Sequence, residues 1–201
     1  FITVFVLALV GTCSAQEVVK IGHWAYGPMF DVIVKDNFIY VAAGDEVRIY
    51  SLSDPNFFPK DPNEPYIYSP LRKVYVGSLI NAIWIEQDYM YIAASDKFVI
   101  FNIADRSNPI EVAELGTPFQ HGSLNDIEVQ AGYAYICGGM GLWIIDVTNP
   151  SNPITMSVLD IGGRRLDVNN SYVYMGSMDG KLHIIDVSNP ANPNEVGSWS
   201  T

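Results

Sequence analysis

Few side chains of this sequence could do chemistry, and they are scattered along the chain. Two carboxylates and an imidazole could act together as acid and base in a hydrolase or an oxidoreductase. The same groups, with an amide and guanidinium groups, could instead hold a small polar or charged ligand or a metal ion. The residues considered for such a site are Asp31, His121, Asn125, Asp126, Arg164 and Arg165. Whether they meet depends on the elements that carry them.

No linear motif points to a particular reaction. The sequence contains no nucleophile pattern, glycine-rich phosphate loop, Cys/His metal spacing or HExxH segment. Asp45, Glu46, Asp96 and Asp179 are acidic, but they lack the closely alternating spacing of a calcium loop. We therefore predict no cofactor and no metal, although a site assembled from several repeats would leave no linear motif.

An internal repeat organises the chain. Four passages align: FDVIVKDNFIYVAAGDEVRIYSLSDP from Phe30, AIWIEQDYMYIAASDKFVIFNIADRSNP from Ala82, DIEVQAGYAYICGGMGLWIIDVTNPSNP from Asp126 and LDVNNSYVYMGSMDGKLHIIDVSNPANP from Leu166. Their central tyrosines recur at intervals of about 40 to 50 residues. Apolar runs separated by polar turns, with a last run after the prolines, indicate four strands per unit, which we letter A to D.

Strands B and C are apolar at nearly every position. A sheet with one face in water would alternate, so continuous apolar runs indicate burial on both faces. Four-stranded antiparallel sheets stacked between like sheets are the blades of a β-propeller. We therefore predict an all-β fold, a β-propeller. The main alternative is a β-sandwich, in which each strand would show one apolar face.

Four blades are predicted, at about residues 30–79, 82–116, 126–160 and 166–201. The segment EVVKIGHW, residues 17–24, reads as an extra strand D ahead of them. This strand has no A, B and C partners unless a further blade supplies them, as in the strand exchange that closes propellers. We expect a fragment of a larger propeller of about five to eight blades, with further blades or domains in the full-length chain.

The segments WIIDVTNPSNP and HIIDVSNPANP carry a family resemblance. Proline cannot donate to a ladder, so paired Asn-Pro steps end strand C, and Asn149 and Asn189 can bond their own backbone there. With the weaker copies VIFNIADRSNP and RIYSLSDP, these segments resemble the LVIVD repeat of secreted and surface-attached proteins. The resemblance covers residues 17–201, weakest in the first unit, and implies a propeller without a catalytic motif to transfer.

Propellers concentrate binding on the face that carries their D-to-A connections and B-to-C turns. The alignment places Asp31, Ala82, Asp126 and Arg165 at the start of strand A, around the mouth of the central channel. A polar ligand there is one interpretation. The alternative is that Asp31 and Asp126 tie blades together by accepting backbone hydrogen bonds.

A proline-rich insert, residues 53–73, follows the first strand C. Its aromatic side chains on a stiff loop could bind a partner, or could instead cover the edge of a blade. These aromatic residues are Phe57, Phe58, Tyr66 and Tyr68.

The net charge of -11 disfavours nucleic acid and anionic membranes as partners. The opening FITVFVLALVGTCSAQE predicts a signal peptide, residues 1–15, truncated at its start and too short to span a membrane. We therefore expect a secreted, periplasmic or cell-surface protein. Lipidation at Cys13 is disfavoured by Thr12, and Cys137 is expected to be buried and inert.

Three functions remain open at this point. The first is a non-catalytic module of the LVIVD type that binds a protein or a glycan. The second is an extracellular or periplasmic hydrolase or oxidoreductase that uses Asp31, Asp126 and His121 at the channel mouth. The third is a structural spacer within a larger surface protein. The repeats themselves are scaffold, so function is expected where they disagree.

Overall fold

The computed structural model describes residues 29–54, 69–120 and 122–200, which form sixteen strands in four antiparallel sheets. Sheet 1 contains β1 (Asp31–Lys35), β2 (Phe38–Ala43), β3 (Glu46–Ser51) and β4 (Arg72–Tyr75). Sheet 2 contains β5 (Ile80–Glu86), β6 (Tyr89–Ala94), β7 (Lys97–Asn102) and β8 (Ile110–Gly116). Sheet 3 contains β9 (Leu124–Gln130), β10 (Tyr133–Gly138), β11 (Gly141–Asp146) and β12 (Ile154–Leu159). Sheet 4 contains β13 (Arg165–Asn169), β14 (Tyr172–Gly176), β15 (Lys181–Asp186) and β16 (Asn194–Ser200).

Each sheet is a meander in which sequential strands pair in the order A, B, C and D. The turns between strands A and B need positive φ angles, which polar residues adopt more easily than branched ones. Asp36 and Asn37 have φ of 49° and 66°, and Asn170 has φ of 55°. The polar breaks seen in the sequence are therefore tight turns that reverse the chain within each blade.

The core lies between the sheets. In β2, β6 and β10 every residue after the first is buried, so these strands pack on both faces. Between sheets 2 and 3 the ring of Phe98 meets Trp143 edge-on, with ring centroids 6.2 Å apart. Such a core is expected when each sheet stacks face to face on the next, so the propeller prediction is confirmed and the sandwich is excluded.

The A strands of successive sheets contact one another, β1 with β5, β5 with β9 and β9 with β13. Strand A is therefore the inner edge of each sheet, and strand D is the outer edge. Among the residues described, no helix is long and apolar enough to cross a bilayer.

The paired Asn-Pro steps end strand C, as the sequence predicts. The side-chain oxygen of Asn149 accepts a hydrogen bond from the N–H of Ser151 at 3.3 Å, and Asn189 does the same with Ala191 at 3.2 Å. One residue type thus closes two equivalent turns, and these asparagines are part of the scaffold.

Several sequence predictions fall outside the described residues. These are the signal peptide with Cys13, the extra strand at 17–24, the loop aromatics Phe57, Phe58, Tyr66 and Tyr68, and the imidazole of His121.

Candidate functional site

The D-to-A connections and the B-to-C turns lie on the same side of the sheets, because strand A begins beside the end of strand B. We call this side the connection face. Five of the six predicted site residues lie in the described part of the chain, all at or beside the start of a strand A. They are Asp31, Asn125, Asp126, Arg164 and Arg165.

Asp31, Asp126 and Arg165 hold equivalent positions in sheets 1, 3 and 4. Each pairs with the residue that lies two places after the central tyrosine of strand B. The sequence alignment of these three positions therefore agrees with the strand pairing in the structure.

Asp31 and Asp126 use their carboxylate oxygens on backbone amides. The Oδ2 atom of Asp31 accepts a hydrogen bond from the N–H of Ile83 in sheet 2 at 2.8 Å, and its Oδ1 accepts from the following residue. Asp126 repeats this arrangement with the N–H of Leu166 in sheet 4 at 2.9 Å. Both carboxylates join one blade to another.

Further side chains of strand A make the same kind of contact. An edge strand leaves backbone donors and acceptors unpaired, and these must find partners. Glu128 Oε2 accepts from the N–H of Val168 at 2.9 Å, and Gln130 donates to the carbonyl of that residue at 3.2 Å. Lys35 Nζ donates to the carbonyl of Ile85 at 2.8 Å. Side chains of one blade therefore form hydrogen bonds with backbone groups on the inner strand of another blade.

Asn125 also serves this purpose, and Asn81 is an equivalent residue that the sequence interpretation missed. Asn125 Nδ2 donates to the carbonyl of Gly163 at 2.9 Å, and Asn81 Nδ2 donates to that of Leu124 at 2.6 Å. Both asparagines sit at a register shift in strand A. This equivalence is visible in the sequence, because Asn81 precedes Ala82 just as Asn125 precedes Asp126, and Ala82 and Asp126 are aligned.

The two guanidinium groups are more open to a ligand. Arg164 and Arg165 are exposed, although Arg165 donates to the carbonyl of Asn125 at 2.9 Å. Burial raises the pKa of Asp126, against the lowering effects of the Leu166 amide and of Arg165. The carboxylate is thus enclosed in the scaffold, whereas the arginines lie at its surface.

Cys137 is buried and forms no disulfide within the part of the chain that the structure describes. Burial raises the pKa of its thiol to about 12, so the reactive thiolate is disfavoured.

A cleft of about 410 Å³ opens on the connection face between sheets 3 and 4, within the size range of ligand pockets. It was not identified from the sequence. Its walls are formed by two glycines, Gly139 and Gly162, and by six side chains. These side chains belong to Asp160, Ile161, Ser177, Met178, Asp179 and His183.

The corresponding region between sheets 2 and 3 is filled. Phe119, from the connection before sheet 3, is 6% exposed and packs so closely that a Cβ on Gly141 would meet its ring at 2.8 Å. Trp143 belongs to the same buried cluster. The connection before sheet 4, DIGGRR, has no aromatic residue, and its cleft stays open.

The third position of strand C differs in every sheet: Arg48, Val99, Trp143 and His183. His183 is 8% exposed, and its Nδ1 lies 2.8 Å from Glu195 Oε1. Its other nitrogen, Nε2, lies 4.0 Å from Asp179 Oδ1. The sequence predicted His183 to pack within strand C, which it does, but its position beside a cleft depends on a neighbouring blade.

Within the described ranges, no three His, Cys, Asp or Glu side chains come close enough together to hold a metal ion. The cleft therefore offers polar side chains without a metal-binding geometry.

Comparison with known proteins places the repeats in a family. The model of the LVIVD repeat matches residues 27–55, 80–117, 121–160 and 163–201. No curated protein matches the sequence.

Solved structures share the fold at low identity. A protein from Lactobacillus plantarum gives a TM-score of 0.71 at 12% identity, over 95% of this chain and 62% of its own. The periplasmic gluconolactonase of Pseudomonas aeruginosa gives 0.70 at 11% identity, over 87% and 55%. A functionally unknown protein from Desulfotomaculum acetoxidans gives 0.66 at 15% identity, over 86% and 56%. This chain thus spans 55% to 62% of each of these proteins, and the likeness shows the fold alone.

Proposed function

Because the chain belongs to the LVIVD repeat family, we propose that it is a binding module that holds a protein or glycan partner on its connection face. In this proposal the blades are a rigid support, and the loops between them recognise the partner. We also propose that the module is exported, on the basis of the apolar opening of the sequence and its net charge of -11.

One observation carries the proposal. On the connection face the repeats differ, and this difference leaves a cleft of about 410 Å³ between sheets 3 and 4. The comparable region beside Phe119 is packed. Concave sites with a few converging polar groups are where proteins usually bind ligands.

The alternative of a hydrolase or oxidoreductase at the channel mouth is less well supported. It requires Asp31 and Asp126 to exchange protons with a substrate, yet both accept two backbone hydrogen bonds. In each carboxylate both oxygens are already occupied by these bonds, so neither is free to take a proton from a substrate. These two carboxylates therefore support the blades, and the binding proposal does not depend on them.

Two further surfaces belong to this proposal. Arg164 and Arg165 are exposed beside the channel mouth and could contact the same partner. The aromatic loop with Phe57, Phe58, Tyr66 and Tyr68 stays a predicted second contact.

The experiment compares two faces of the protein by inserting the same bulky charge on each. Met178 and Ala191 are both exposed, the first on the connection face and the second in a C-to-D turn on the opposite face. The immobilised chain is presented to a glycan array and to extracellular proteins. We expect Met178→Arg to weaken capture at least about tenfold, as at the centre of an interface, and Ala191→Arg to leave it unchanged.

If capture survived Met178→Arg but was lost with Ala191→Arg, the partner would bind opposite the connection face, and the proposal would be wrong. Turnover of a substrate by the wild-type chain in a hydrolase panel, lost on Asp126→Asn in a variant that still folds, would favour the enzyme instead.

A further inference from the structure

The cleft between sheets 3 and 4 is rich in hydrogen-bond acceptors. Asp160 and Asp179 contribute carboxylates, and Ser177 contributes a hydroxyl that donates to Asp179 Oδ1. Asp179 is ionised at ordinary pH, because the hydrogen bonds from Ser177 and Lys181 lower its pKa to about 2. An anionic ligand would be repelled from these walls.

His183, which also lines the cleft, adds an acceptor when its ring is neutral. Its side chain is nine-tenths buried, with 10% exposed. Glu195 can only accept, so when the ring is neutral the proton lies on Nδ1 and Nε2 keeps its lone pair. Nε2 makes no hydrogen bond to the part of the chain that the structure describes, since Asp179 lies 4.0 Å away. A buried polar atom of this kind needs a partner.

Lys181 already places an ammonium group beside one of the carboxylates that line the cleft. Its Nζ lies 3.1 Å from Asp179 Oδ2, and its side chain is 46% exposed. An exposed pair of this kind contributes little to stability, so Lys181 can yield Asp179 to a ligand or share it.

The walls also accommodate an alkyl chain. Ile161 and the 77% exposed Met178 line the cleft with apolar atoms beside the carboxylates. Methionine adapts its shape to a ligand because it is unbranched. A volume of about 410 Å³ is ample for one extended lysine or arginine side chain.

We propose that this cleft binds an alkyl cation, a protonated amine or a guanidinium group, presented by a basic side chain of the partner or by a free amine. The proposal rests on the binding function proposed above. The cation lies between Asp160 and Asp179, its donors reach Ser177 and His183 Nε2, and its alkyl stem packs on Ile161 and Met178.

Calorimetric titration of the chain with Nα-acetyl-lysine methylamide tests the charge requirement. The matched neutral probe is the norleucine analogue, which has the same alkyl stem without the ammonium group. We expect the lysine probe to bind at least about tenfold more tightly, because hydrogen bonds to charged groups are stronger than neutral ones.

Variants locate the site. Asp160→Asn and Asp179→Asn should each weaken binding of the lysine probe by about two- to fivefold, as expected for exposed ion pairs, and Glu111→Gln, an exposed carboxylate in β8, should leave it unchanged. The pair His183→Trp and Glu195→Thr copies the Trp143–Thr155 hydrogen bond of sheet 3, which spans 3.1 Å. This double variant should fill the cleft and abolish binding, with circular dichroism as the check on folding.

The source of the cation is identified by comparing the affinities of a peptide and of a small amine. A lysine-containing peptide that binds at least about a hundredfold more tightly than a free diamine indicates a protein partner, and equal affinities indicate a small amine. Equal binding of the norleucine probe would overturn the proposal, as would full affinity in both aspartate variants. Partner capture that is lost with Met178→Arg but kept in the aspartate variants would refute the cation site and leave the proposed function standing.

Discussion

At the scale of single residues, the carboxylates of strand A act on the backbone of another blade. Asp126 Oδ2 accepts from the N–H of Leu166, which lies in β13, and Glu128 does the same for Val168. Such contacts satisfy amides that a lone edge strand would leave to water. The acids that stood out in the sequence as possible catalysts thus stabilise the stack of blades.

Asp126→Ala should therefore lower the free energy of unfolding by about 2 to 3 kcal/mol, because two backbone amides, those of Ile127 and Leu166, lose their acceptor. Urea denaturation followed by circular dichroism measures the change. Arg165→Ala is the control, since that side chain is 65% exposed, and it should stay within about 0.5 kcal/mol of wild type. Equal stability of Asp126→Ala and wild type would contradict the structural role.

For Asp31 and Asp126 the sequence predicted the position but not the role. The alignment found that Asp31 and Asp126 are equivalent, because the repeat preserves spacing within a blade. It left open whether they bind a ligand or a backbone amide. The answer depends on Ile83 and Leu166, which lie in another sheet.

At the scale of elements, the connection before sheet 4 is held tightly between two blades. The N–H of Gly163 donates to the carbonyl of Gly138 at 2.8 Å. A Cβ at Gly163 would lie 2.2 Å from the sulfur of Met175 and 2.9 Å from the Cβ of Cys137. A side chain there would push sheets 3 and 4 apart.

Gly163→Ala should destabilise the protein by about 2 kcal/mol or more, because the added methyl group has no space. Gly176→Ala is the matched control, since nothing lies within 4 Å of a Cβ at that position, and it should be neutral or slightly stabilising. Thermal unfolding compares the two. If Gly176→Ala proved the more harmful substitution, the close approach of the blades at Gly163 would be wrong.

In the molecule as a whole, the face of sheet 4 that points away from sheet 3 is apolar and exposed. Leu182 and Trp199 are 43% and 72% exposed, whereas Leu142, which is equivalent to Leu182 in sheet 3, is fully buried against sheet 4. Because these positions in the earlier sheets are covered by the next blade, we expect another LVIVD blade to cover this face. For the 201-residue chain alone in solution, a second copy would supply it.

The chain should therefore associate as its concentration rises, and Trp199→Glu should shift it towards the monomer. Val158→Glu, at a 47% exposed site on the outer strand of sheet 3, is the control and should leave association unchanged. Sedimentation equilibrium measures both. A wild-type chain that stays monomeric and unfolds in one cooperative transition would contradict the expectation of further blades.

The class of fold, the number of strands in each blade and the turns at Asn149 and Asn189 could all be predicted from the sequence. These properties depend on short-range patterns of apolar residues, turn residues and prolines, which repeat with each unit. The role of Asp31 and Asp126 in joining blades and the position of His183 beside a cleft became apparent only from the structure. Both outcomes depend on contacts between sheets, such as the presence of Phe119 at one junction and the lack of an aromatic at another. A pattern within one repeat cannot encode what a neighbouring repeat places against it.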